Sequence, residues 1–114
     1  KLQSEIINRI EFEKDIQFTY STIYQNDYKK YNISPEETDF MIDVVRLVKG
    51  ANIALLLKEQ VDGSFKGSLR SRNNFNVQEI ASIFNGGGHK AASGFSSELS
   101  EQEIIEKIKN EIRT

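Results

Sequence analysis

The chain has 114 residues, 38% of them hydrophobic and 28% charged, which suits one globular core and excludes collagenous, mucin-like and wholly disordered chains. Fifteen Lys and Arg against 17 Asp and Glu give a net charge of −2, which disfavours a globally basic nucleic-acid binder but permits a local basic patch. There are no cysteines, so disulfides and thiolate metal sites are excluded, and no apolar run approaches the length of about 18 residues that a membrane span needs.

Lys1 stands where an initiating Met is usual. It is read as the start of a piece excised from a longer protein, with a tag remnant, proteolysis or a removed signal peptide as alternatives. No signal-peptide h-region is visible. Residues 1–14 carry Leu2, Ile6, Ile7, Ile10 and Phe12 at ragged helical spacing and read as a linker helix arriving from an upstream domain. Ile16–Tyr24 is rich in β-branched and aromatic residues and predicts a strand. Gln25–Asn32 is polar with two tyrosines, a short helix or a loop. Ser34-Pro35-Glu36-Glu37 is a helix start: a capping serine, proline in the first helical position and a glutamate completing the capping box. Phe40, Met41, Val44, Val45 and Val48 continue that helix, and Gly50 ends it with a left-handed cap.

Ile53–Leu57 is uninterrupted apolar sequence, as expected of a strand covered on both faces. Asp62-Gly63 is a tight-turn signal. Beyond it Phe65, Gly67 and Leu69 alternate with Lys66, Ser68, Arg70 and Arg72, which predicts a hairpin with one polar face carrying Ser68 and Arg70 side by side. Asn76, with Glu79, caps a helix whose buried stripe is Val77, Ile80, Ala81 and Phe84. Ser100, with Glu103, opens a last amphipathic helix bearing Ile104, Ile105, Ile108 and Ile112. The expected fold class is α/β: a mixed β-sheet of about four to five strands, including one hairpin, flanked by helices.

Three chemical features stand out. Gly86-Gly87-Gly88-His89 lets a ligand approach the main chain, and Lys90-Ala91-Ala92 favours a new helical turn, so the segment reads as an anion site at a helix N-terminus with His89 beside it. Taken alone, a glycine triplet reads first as a cap and flexible turn. Arg70, flanked by Ser68 and Ser71, suits bidentate phosphate recognition, while a lone strand arginine is usually just solvated. Tyr20, Tyr24, Tyr28 and Tyr31 either stack bases or pack. Asp15, Asp27, Asp39, Asp43 and Asp62 are scattered and only one histidine is present, so no hydrolytic metal centre, and no self-sufficient catalytic centre, is expected.

Ser68-Leu69-Arg70-Ser71, Asn76-Val77 opening a helix, and Gly86–Phe95 together resemble the DHH-associated C-terminal domain of the DHH phosphoesterase superfamily. His89–Phe95 is most similar to the nano-RNase and pAp-phosphatase branch, also called exopolyphosphatase-related or MgpA-like. The family often has four glycines before the histidine; Asn85 takes the first place here and tolerates left-handed backbone. The resemblance implies a cytoplasmic two-domain hydrolase. Its upstream Asp-His-His domain holds two divalent metals, usually Mn2+, leaving none in this chain, and activates water. By that resemblance residues 15–114 form the substrate-binding domain and residues 1–14 link it to the metal-binding domain. Arg70, Ser68, Ser71, Gly86, Gly87, Gly88 and His89 are then the substrate contacts. The expected substrate is short RNA or a small phosphorylated nucleotide such as 3′-phosphoadenosine 5′-phosphate, no membrane is expected, and a homodimer of the full-length protein is an open expectation. A nucleic-acid module of a RecJ-like exonuclease or tRNA synthetase, a cyclic-dinucleotide phosphodiesterase domain and a pure interaction domain are the alternatives.

Overall fold

The computed structural model describes all 114 residues. Helix α1 (Leu2–Asn8) leads into β1 (Glu11–Glu13) and β2 (Phe18–Ile23). Helix α2 (Gln25–Tyr31), a 3₁₀ turn (Pro35–Thr38) and α3 (Met41–Val45) follow, then the hairpin of β3 (Ile53–Glu59) and β4 (Phe65–Ser71). Helix α4 (Val77–Ser82), β5 (Gly87–His89), β6 (Ala92–Ser97) and α5 (Glu101–Arg113) complete the chain. The strands form one sheet in the order β1-β2-β3-β4-β6-β5, parallel only between β2 and β3.

Strand β3 lies inside the sheet and is buried on both faces, which is why its sequence does not alternate. Ile53, Leu55 and Leu57 join Phe18, Leu69, Val77, Ile80, Ile104 and Ile108 in the larger core, under α4 and α5. Ala54 and Leu56 point the other way, into a second core with Leu2, Ile6, Ile23, Tyr28, Met41, Ile42 and Val45 from α1, α2 and α3. This second layer covers only the β2–β3 half of the sheet. The β4–β6–β5 half of the same face carries Lys66, Ser68, Arg70 and Ser96 and adds no residue to the second core.

Six strands form, slightly more than the expected four to five, and the two short ones, β1 and β5, correct two local expectations. The proposed linker helix over residues 1–14 stops at Asn8, and Glu11–Glu13 pairs with β2 as a short edge strand. Leu2 and Ile6 are buried, so α1 packs on this fold as part of it. The helical turn expected at Lys90-Ala91-Ala92 does not form: Lys90 and Ala91 are the two-residue tip of the β5–β6 hairpin. The helix expected from Ser34 to Val48 is broken as well. Its capping box forms, with Ser34 N–H donating to Glu37 Oε2 at 2.8 Å. The Thr38 hydroxyl, however, donates back to the Pro35 carbonyl at 2.6 Å, and Asp39 is held by Lys58 Nζ at 3.0 Å. The helical ladder lapses at Asp39 and Phe40, and Phe40 is left half exposed.

Candidate phosphate-binding face

The polar half of the sheet is built by register. Arg70 lies opposite Ala92, and Ala92 lies opposite His89. Directly opposed residues share a face, so Arg70 and His89 stand on one side of the sheet, two strand spacings or about 10 Å apart, with only a methyl group between them. One row along, Ser68 lies opposite Gly94, and Gly94 opposite Gly87. The result is a shallow floor of Ala92, Gly94 and Gly87, walled by Arg70 and Ser68 on one side and His89 on the other. A Cβ on Gly87 would meet nothing within 4 Å, so the space above this floor is open.

Arg70 is half-buried, and one guanidinium nitrogen donates to the Leu69 carbonyl at 2.9 Å. Its other donors have no partner within the chain. Acidic residues outnumber basic ones in this chain, yet none comes within ion-pair distance of Arg70, Lys66, Lys90 or His89. The His89 ring is exposed and unbonded. An uncompensated guanidinium and an imidazole on one face of bare backbone favour an anion with oxygens to share, such as a phosphate.

The Gly-Gly-Gly-His segment is held from behind. Asn85, left-handed at φ 62°, ends α4 in a Schellman arrangement: Gly86 N–H donates to the Ala81 carbonyl at 2.9 Å and Asn85 N–H to that of Ser82 at 3.0 Å. The asparagine thus does the work expected of it. Gly86 packs so tightly on the Gly94 carbonyl and Phe95 that a side chain has no room. Gly88, at φ +142°, lies against Ala92 and Ser93. Both therefore shape the strand, and Gly87 is the glycine of the triplet that presents open backbone to the face. The Gly88 carbonyl accepts from Gln78 Nε2 at 2.9 Å and the His89 carbonyl from Ser93 Oγ at 2.6 Å.

Ser71 points to the opposite face from Arg70, as successive strand residues must. Its hydroxyl donates to the Phe75 carbonyl at 2.6 Å and approaches that of Lys90 at 3.3 Å, while its N–H donates to the Ala91 carbonyl at 3.0 Å. It anchors the hairpin tip and does not join Arg70. The tyrosines are structural too: Tyr28 is in the second core, Tyr20 stacks on Phe18, and Tyr24 donates its hydroxyl to Glu101 at 2.8 Å. Burial and the Glu101 carboxylate push the Tyr24 hydroxyl up to about 12. Sequence reading missed Gln78 and Ser93, because their roles exist only once the hairpin is paired.

The DHHA1 domain family matches residues 15–114. The chain belongs to that family. This DHHA1 domain is 30% identical over 112 residues to a Streptococcus mutans protein named "Probable bifunctional oligoribonuclease and PAP phosphatase NrnA", covering 96% of this chain and 36% of the relative. It is 28% identical over 82 residues to the bifunctional oligoribonuclease and PAP phosphatase NrnA of Thermus thermophilus, covering 68% of this chain and 25% of that one. The chain therefore spans about a third and a quarter of these relatives. Its fold matches part of an exopolyphosphatase-related protein from Bacteroides fragilis, with a TM-score of 0.88 at 21% identity over 98% of this chain and 33% of that one. The C-Ala domain of Aquifex aeolicus alanyl-tRNA synthetase shares the fold at a TM-score of 0.61 and 16% identity, over 92% of this chain and 98% of that domain. The chain is thus a DHHA1 domain with relatives named as hydrolases among its homologues.

Proposed function

We propose that this DHHA1 domain is the substrate-binding part of a manganese-dependent phosphoesterase acting on short oligoribonucleotides, 3′-phosphoadenosine 5′-phosphate, or both. Arg70, supported by Ser68, holds a phosphate; His89 donates to a second oxygen or stacks on a base; Gly87 and Gly94 keep the floor low enough for contact with the main chain. The observation that carries the reading is Arg70 itself, half-buried without a counter-ion and level with His89 across side-chain-poor backbone. The names of the two relatives support the substrate class.

No three His, Asp or Glu side chains gather anywhere in the chain, so its residues do not fit a resident Mn2+. The metals and the activated water belong, in this proposal, to a DHH domain of the same protein. The domain described here contributes position: it fixes the phosphate so that attack from across the cleft starts in line. An acidic chain suits such a role, since a short ligand needs one local pocket and no long basic stripe.

The test is titration of the chain with adenosine 5′-monophosphate, followed by amide chemical shifts. Shifts are expected at Ser68, Arg70, Gly87 and His89. Arg70→Ala is expected to weaken binding about tenfold or more, the usual loss for one charged hydrogen bond. In the whole phosphoesterase Arg70→Ala and His89→Ala each lower kcat/KM with metal content unchanged. Unaltered affinity and unaltered kinetics in both variants would refute the assignment.

A further inference from the structure

Arg70 has a second neighbourhood, on the side away from His89. A small notch beyond the start of β3 is lined by Arg46, Asn52, Arg70 and Arg72, with Ala51 and Ala54 at its base. Three arginines thus line one notch, from the end of α3, from within β4 and from the residue after it. Arg72 has no carboxylate partner, and Arg46 has only the exposed Asp43 at 3.4 Å. The opening has room for a single water-sized group, so it excludes a base or a sugar and admits one oxygen of a larger anion.

The cluster is held in place. Arg72 Nη2 donates to the Arg46 carbonyl at 3.2 Å, and its N–H donates to the Asn52 carbonyl at 2.9 Å. The Asn52 side chain accepts from Asn73 Nδ2 at 2.7 Å and donates to Gln17 at 2.6 Å. Two successive left-handed asparagines, Asn73 and Asn74 at φ 58° and 68°, turn the chain sharply after Arg72. These bonds use one side-chain donor of Arg72 and leave the rest of its fork free.

We infer that Arg46 and Arg72, sharing Arg70, form a second phosphate subsite, so that this face takes ligands with two phosphates joined through ribose in preference to ligands with one. The inference rests on the reading of Arg70 and His89 as the first phosphate site. Arg70 belongs to both, and its guanidinium donors other than the one on the Leu69 carbonyl have no partner in the chain. A dinucleotide with a 5′-phosphate, or 3′-phosphoadenosine 5′-phosphate, satisfies both subsites, whereas adenosine 5′-monophosphate satisfies one.

The experiment titrates the chain at low salt with adenosine 5′-monophosphate, 3′-phosphoadenosine 5′-phosphate and a 5′-phosphorylated diribonucleotide. Amide shifts locate each ligand, in the native chain and in R46A, R72A, R46A/R72A and R70A. The native chain is expected to bind the two-phosphate ligands about tenfold more tightly than the monophosphate, with shifts at Arg46, Asn52 and Arg72 only for the former. R46A/R72A is expected to erase that preference and leave monophosphate affinity within about twofold. A preference unchanged in R46A/R72A, or shifts absent at Arg46 and Arg72, overturns the second subsite while leaving the first intact. Monophosphate binding unchanged in R70A overturns the first site by itself. Should R72A disturb its loop, Arg46→Glu decides, because it reverses a charge on an exposed side chain and keeps the backbone carbonyl that holds Arg72.

Discussion

Gly87 and Gly88 are adjacent in one strand and face opposite demands. Gly88 sits at φ +142°, and a Cβ there would come within 2.7 Å of the Ala92 carbonyl. Gly88→Ala is expected to destabilise the β5–β6 hairpin by about 2 kcal/mol, the combined cost of strained backbone and a clash, seen as a lower urea midpoint. Gly87 has ordinary backbone and open space. Gly87→Ala is expected to leave stability within about 0.5 kcal/mol and to weaken phosphate binding, because its methyl group rises from the floor beside His89, in the row of Ser68. Equal effects of the two substitutions on stability and binding would contradict this division. At this scale much was legible: the Asn85 left-handed cap and the pairing of Arg70 with Ser68 follow from residue type and period alone. The split among the glycines was not, because it depends on which side Phe95 and Ser93 approach from.

The hairpin that carries His89 shows where local preference loses. Lys90, Ala91 and Ala92 are good helix formers, and nothing within that tripeptide opposes a helical turn. The opposition comes from elsewhere in the chain. Ser71 N–H takes the Ala91 carbonyl, Val77 N–H takes that of Lys90 at 2.9 Å, and Phe95 stacks on Phe84 with ring centroids 4.3 Å apart. A helix would forfeit all of these. Ser71→Ala is therefore expected to cost about 1 kcal/mol and to speed amide exchange across Gly87–Ala92, without abolishing phosphate shifts at Arg70. Loss of phosphate binding with exchange rates unchanged would restore Ser71 as a direct contact.

Across the whole molecule, one ion network ties the helical layer to the sheet. Arg9, just after α1, grips both carboxylate oxygens of buried Asp27 in α2 at 2.7 Å and also the Thr22 carbonyl at the end of β2. Burial opposes ionisation of Asp27, but the Arg9 guanidinium and the Tyr24 N–H outweigh it and hold the carboxyl below its ordinary 3.8. The unfolded chain therefore takes up this proton first as the solution is acidified. The stabilisation is complete above pH 3.8 and is lost as pH falls through the lowered native value. Arg9→Ala leaves that buried carboxylate unpaired and is expected to cost about 3 kcal/mol at neutral pH, while Asp27→Asn flattens the acid limb of the stability curve. Thermal unfolding between pH 2 and 7 checks both, and an acid limb unchanged in Asp27→Asn would remove the network from the account.

Sequence alone determined the apolar strand at the centre, the hairpin turn at Asp62-Gly63, the helices capped at Asn76 and Ser100 and the family, because those signals lie in short-range periods and in residue types with few conformational options. Only the tertiary structure decided that β5 is an edge strand, that Ser71 turns away from Arg70, and that Arg46 and Arg72 meet beside it. Face and proximity across strands are set by register, and register is fixed by contacts between residues far apart in the chain.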